Sequence, residues 1–198
     1  CRATQEHFGG RIAALELNAA CPNVAHGAGF YSRDPDAASG LVSAVRSVTE
    51  LPIFVKFNTN FQNYLEVAQA IEAAGADALY TTNTPLGMKI DWRTRRPVLG
   101  SGQGPICGPA VRPVGVLRTW ELYKRVRLPI IASGGICTWE DALEYILAGA
   151  TAVGVGSAQF VYPDAVSAIL QGLERYVLDQ HLTSILDLVG AAQKVPNN

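Results

Sequence analysis

The sequence predicts an α/β fold: five C-terminal βα units of a parallel (β/α)8 TIM barrel, with the N-terminal units lying upstream of Cys1. Three observations predict it. Short apolar runs alternate with helical periodicities along the chain, which argues for a parallel sheet. The phrase Ala-Gly-Ala joins a helix to a strand twice, at residues 74–76 and 148–150, as in a repeated unit. Polar and glycine residues gather just after the strands, at Asn18, Lys56, Asn83, Gly134 and Gly156. That is where parallel α/β proteins keep their chemistry. A closed barrel needs eight strands in about 250 residues, whereas five are legible in these 198 residues. A five-stranded doubly wound sheet is the rival. It would want a Gly-x-Gly-x-x-Gly turn after its first strand, and the sequence has none there. Residues 1–198 read as a single domain.

The elements follow in order. Residues 12–18 form a short apolar run ending in polar side chains. Leu41, Val42, Val45 and Val48 have helical spacing within residues 39–48. Residues 51–57 are a buried strand after Pro52. Leu65, Ala68 and Ile71 share a face of a helix over 64–74, which Gly75 ends. Strands follow at 77–82, 128–132 and 152–155. Helices are expected at 114–126, 139–147 and 163–178, and a short one at 184–189. Lys89 to Gly100, with Arg93, Arg95 and Arg96, reads as a solvated hairpin. Val24 to Phe30 is glycine-rich and reads as a mobile lid, in which His26 is assigned no role. Trp120 and Trp139 read as packing residues on outer helices.

Composition excludes several classes. The chain carries 16 basic and 17 acidic residues, net −1, with 48% apolar and 17% charged side chains. Disorder and coiled coil need far more charge. A chain without basic surplus is a poor partner for nucleic acid. The charge-free stretch 146–160 is shorter than the roughly 20 apolar residues of a membrane span. Cys1-Arg2-Ala3-Thr4 is not a signal peptide, and the chain reads as beginning inside a longer one. The four cysteines, at 1, 21, 107 and 137, are far apart and unaccompanied by ligand-spaced histidines. They suit reduced thiols of a cytoplasmic protein rather than zinc or a disulfide scaffold.

Four groups of residues could carry chemistry. In Asn18-Ala-Ala-Cys21-Pro22-Asn23, two carboxamides flank one thiol directly after a strand. Carboxamides both donate and accept, which suits the edge of an imide-like ring. A thiol whose anion is stabilised can act as base or nucleophile. The plain alternative is a strand-end turn with an inert cysteine. Lys56 ends an apolar strand, either as a fixed cation inside a barrel or as a side chain snorkelling from its rim. Thr82-Asn83-Thr84-Pro85 follows another strand, and could be simple turn chemistry. Gly108, Ser133-Gly134-Gly135 and Gly156-Ser157 let backbone N–H groups approach an anion. The last two pairs end the final two strands, where barrels frequently bind phosphate.

Together these pieces resemble the dihydroorotate dehydrogenase family. The matching segments are Glu16-Leu-Asn18-Ala-Ala-Cys21-Pro-Asn23-Val, Val55-Lys56, Asn83-Thr84-Pro-Leu-Gly-Met-Lys-Ile-Asp91, Gly108-Pro-Ala-Val-Arg-Pro113, Ser133-Gly-Gly-Ile136 and Gly156-Ser157. They occur in the family's order and span nearly the whole chain. Cys rather than Ser at position 21 is similar to class 1, and the Leu86 to Asp91 segment is most similar to the class 1B catalytic subunit.

The resemblance implies an FMN-binding barrel that oxidises dihydroorotate to orotate in pyrimidine biosynthesis. Cys21 would remove the C5 proton, and hydride would pass from C6 to FMN. Asn18, Asn23, Asn83 and Thr84 would hold the pyrimidine. Asn18, Lys56, Thr82, Gly108, Gly134, Gly135, Gly156 and Ser157 would bind the flavin. A homodimer is implied, with an FAD and iron–sulfur subunit passing electrons to NAD. Two positions depart from the family: Ala20, where Ser is usual, and Ser157, where Thr is commoner. The family's N-terminal third would lie upstream of Cys1. Two alternatives remain at this stage. One is a uracil- or thymine-type dihydropyrimidine dehydrogenase, in which His rather than Pro22-Asn23 tends to follow the cysteine. The other is an inactive fragment acting only as an assembly piece.

Overall fold

The computed structural model describes residues 3, 7–21, 29–81 and 84–194. Five parallel strands form its sheet: β1 (Leu15–Asn18), β2 (Ile53–Lys56), β3 (Ala78–Tyr80), β8 (Ile130–Ser133) and β9 (Ala152–Gly154). Their spatial order is their chain order. A doubly wound sheet reverses its order at a switch point, so the rival topology is excluded for these strands.

Helices connect them. After β1 come α1 (Phe30–Arg33) and α2 (Pro35–Arg46), then α3 (Tyr64–Ala73) after β2, α4 (Arg112–Tyr123) before β8, and α5 (Trp139–Ala148) before β9. Helices α6 (Ala158–Val161) and α7 (Ala165–Asp179) close the order. Neighbouring helices pack in sequence: α2 on α3, α3 on α4, α4 on α5 and α5 on α7.

Local chemistry sets the boundaries. Helix α2 begins at Pro35, four residues before the apolar periodicity suggests. The Asp34 carboxylate accepts the Asp36 and Ala37 N–H groups at 3.0 and 3.2 Å, and Pro35 needs no donor at the first helical position. Helix α5 starts on a capping box between Thr138 and Asp141. Where a short helix was expected at 184–189, a 3-10 turn spans Ile185–Leu188. Of the expected lid, Val24 to Ala28 lie outside the described residues, and Phe30 opens α1. The expected hairpin at 89–100 is present, β5 (Ile90–Asp91) pairing antiparallel with β6 (Arg96–Pro97), and an outer ribbon of β4 (Leu86–Gly87) with β7 (Gly104–Pro105) flanks it.

The sheet is two-faced. Leu15, Leu17, Ile53, Val55, Leu79, Ile130, Ala132 and Val153 meet Val42, Val67, Ile71, Leu122 and Tyr145 of the helices in one core. Burying each large aliphatic side chain contributes about 1.5–3 kcal/mol. Successive strand residues point to opposite faces. Glu16, Asn18, Phe54, Lys56, Tyr80, Ile131 and Ser133 therefore share the other face, where Glu16 and Asn18 are exposed and the rest half-buried. Among the described residues, no helix is long and apolar enough to cross a membrane.

Candidate active site at the carboxyl ends of the strands

Strand register places three polar side chains in a row. Asn18 is the register partner of Lys56, and Lys56 of Tyr80. All three lie at the carboxyl ends of their strands, on the face away from the helices. The turn carrying Cys21 starts from this row. The Ala19 N–H donates to the Lys56 carbonyl at 2.8 Å, and the Ala20 N–H to Asn18 Oδ1 at 3.2 Å. The Asn18 carboxamide thus closes an Asx-type turn. Ala19 and Ala20 are buried, and Cys21 emerges half-buried. Asn18, Lys56 and Cys21 are brought to one end of the sheet, as the sequence suggests.

The glycine turns form a second part. Thr84, Gly108, Gly134, Gly135, Gly156 and Ser157 line one cavity of about 210 Å³, together with Tyr80, Cys107 and Ser133. Gly135 has a φ of +72°, and a Cβ there would stand 2.6 Å from the Gly108 carbonyl oxygen and 3.0 Å from the Arg112 nitrogen. Only glycine lets the two loops approach this closely. Tyr80 joins the two parts, since it lines the cavity and neighbours Lys56 in register. The cavity is smaller than the roughly 300–1,000 Å³ of whole-ligand pockets, so it suits one end of a ligand. A larger cleft of about 730 Å³ lies beside Trp139, Gly172 and Arg175 on the outer helices and contains none of these residues.

Two supports hold the glycine turns. The buried Tyr145 hydroxyl donates to the Gly134 carbonyl at 2.8 Å, and burial, with the Glu144 charge adding, holds its pKa well above the ordinary value. The phenol therefore remains a donor. Asp141 pairs with Arg112 and accepts the Cys137 and Thr138 N–H groups at 2.8 and 3.0 Å. Ser133 Oγ donates to the Thr81 carbonyl at 3.1 Å and ties the ends of β8 and β3 together.

Asn23, Thr82 and Asn83 lie outside the described residues. Sequence reasoning missed Tyr80 and Tyr145. Tyr80 was detectable, because period-two counting puts it on the face opposite Leu79, away from the apolar core. Tyr145 left no local signal: its helical position reads as core, and its hydroxyl partners come from another loop.

Comparison with known proteins follows the same lines. The family profile described as Dihydroorotate dehydrogenase matches residues 2–177. "Dihydroorotate dehydrogenase B (NAD(+)), catalytic subunit" from Desulforamulus reducens is 49% identical over 181 residues, covering 91% of this chain and 60% of that protein. The protein of the same name from Desulforudis audaxviator is 46% identical over 183 residues, covering 92% and 60%. The chain thus spans about 60% of the length of the curated relatives it matches. A solved structure, "Crystal structure of DHODH in complex with ferulenol from Eimeria tenella", superposes with a TM-score of 0.78 at 21% identity. It covers 98% of this chain and 57% of the other, so the two share a fold.

Proposed function

Because the chain belongs to the dihydroorotate dehydrogenase family, we propose that its strand-end rim serves the flavin-dependent oxidation of dihydroorotate to orotate, in a class 1B enzyme. The five strands are, on this reading, an arc of a (β/α)8 barrel, supported by their unreversed order and one-sided helices. The observation that carries the reading is the pairing of Asn18 with Lys56 beneath the Cys21 turn.

The residues present fit FMN. Gly108, Gly134 and Gly135 have positive φ and line a cavity with Gly156 and Ser157, and a Cβ at Gly135 would strike backbone. This cradle suits the phosphate end of the cofactor. When bound, FMN supplies the acceptor for the hydride lost from C6. Cys21 takes the C5 proton, and Asn18, Asn23, Asn83 and Thr84 hold the pyrimidine by complementary hydrogen bonds. Lys56 places a fixed positive charge on the same face as Asn18, where negative charge grows during reduction. Thr82 completes the flavin contacts. The NAD(+) and "catalytic subunit" in the relatives' names support a partner subunit that passes electrons to NAD; we propose that this subunit carries FAD and an iron–sulfur centre, and that the catalytic chain is a homodimer.

The test is anaerobic addition of dihydroorotate to the full-length flavoprotein. Flavin absorbance should bleach, and a loaded enzyme that stays yellow overturns the reading. Cys21→Ser should slow bleaching at neutral pH by about 10²-fold or more. An unchanged rate removes Cys21 from the base role.

A further inference from the structure

We propose that Ser32 is a positioning residue for Cys21, its hydroxyl inserted as the last rung between β1 and β2. The proposal rests on the role assigned to Cys21 above. Continuing the register of Asn18 with Lys56 pairs Ala19 with Phe57. A parallel ladder joins such a pair by two bonds, Ala19 N–H to Lys56 O and Asn58 N–H to Ala19 O. The first is made, at 2.8 Å. The second runs through Ser32: the Asn58 N–H donates to Ser32 Oγ at 2.9 Å, and Ser32 Oγ donates to the Ala19 carbonyl at 3.0 Å. The strands therefore splay by roughly the width of one oxygen, two residues before the thiol. Both hydroxyl functions are used, as a fully buried polar group requires.

Helix α1 is clamped so that this hydroxyl cannot drift. At its start, Gly29 has a φ of +71°, and a Cβ there would stand 2.4 Å from the Phe61 ring. At its end, Asn63 Nδ2 donates to the Arg33 carbonyl at 2.7 Å. Ser32 is thus fixed against the segment after β2 while it holds the segment after β1. The spacing between the Cys21 turn and the Lys56 strand is set by one direct backbone bond and by one side chain from a third element.

Ser32→Ala leaves the Ala19 carbonyl and Asn58 N–H to pair directly or admit water, and either moves the turn. Ser32→Gly opens room for a water that bridges the same two groups. Two measurements on the full-length flavoprotein test this. One is peptide-resolved iodoacetamide alkylation of Cys21 across neutral pH, with Cys107 and Cys137 as internal references. The other is the anaerobic rate of flavin reduction by dihydroorotate. Ser32→Ala should shift the Cys21 alkylation profile without moving those of Cys107 and Cys137. It should also lower the reduction rate about tenfold or more. Ser32→Gly should shift both in the same direction by less, and it decides the matter if the alanine variant does not fold. A wild-type Cys21 profile and rate in whichever folded variant is measured overturns the proposal, whatever its thermal stability. If the profile shifts while Cys21→Ser reduces flavin at the wild-type rate, the positioning stands and the base role of Cys21 fails.

Discussion

Gly135 concentrates two demands on one residue. Its backbone is in the left-handed region, and the Gly108 carbonyl occupies the space a side chain would need. Gly135→Ala must therefore accept backbone strain and a displaced loop together, costing about 2–4 kcal/mol. Chemical denaturation should show that loss, and flavin content at matched folded fraction should fall with it. A variant with wild-type midpoint and full flavin occupancy would show that the Gly108 loop gives way freely. At this scale the sequence was legible where residues stand next to one another in the chain: Asn18 with Cys21, Gly134 with Gly135, Gly156 with Ser157. It was illegible where partners converge from distant segments. Ser32 takes its meaning from Ala19 and Asn58, and Tyr145 from Gly134.

Between elements, α3 and α4 meet through a polar contact as well as an apolar one. Tyr64, the first residue of α3, donates to the Glu121 carboxylate of α4, and the Arg118 guanidinium stacks 4.6 Å from its ring. Burial, and then the bond to Glu121, push the Tyr64 pKa from 10.0 up to about 12. The sign follows directly. An unfolded chain loses this proton near pH 10 and the folded one near pH 12, so stability is fully present below 10 and drains away between the two. Urea midpoints measured across that window should fall for the wild type. Tyr64→Phe should lose that component of the slope. An identical slope in both would place the alkaline transition elsewhere. Element types were legible because apolar periodicity survives local detail. Starting points were less so, since the start of α2 is set by the Asp34 carboxylate and Pro35 ring rather than by its apolar face.

For the molecule as a whole, parallel sheets are ordinarily covered on both faces. Here the helices cover one, while among the described residues β1 and β9 each have a single strand neighbour. Bare strand edges and a half-exposed sheet face favour association. Produced as these 198 residues alone, the polypeptide should show a mass above monomer by light scattering, rising with concentration. A monodisperse monomer would mean that the face is covered. The order of the strands was legible from the repeated βα phrase, because sequential units in one sheet tend to lie side by side. Which residues cover the second face was not, since strand alternation marks a face without naming what packs on it.

The alternation of the strands divides labour by parity: in β2, Ile53 and Val55 serve the core, and Phe54 and Lys56 the opposite face. Deleting one residue inside that strand would exchange the two sets, driving an ammonium into the aliphatic layer and an isopropyl group out onto the polar face. Deleting two would shorten the strand yet keep each side chain on its own side. Single-codon losses here should therefore be more damaging than double ones, reversing the usual expectation that smaller lesions are milder.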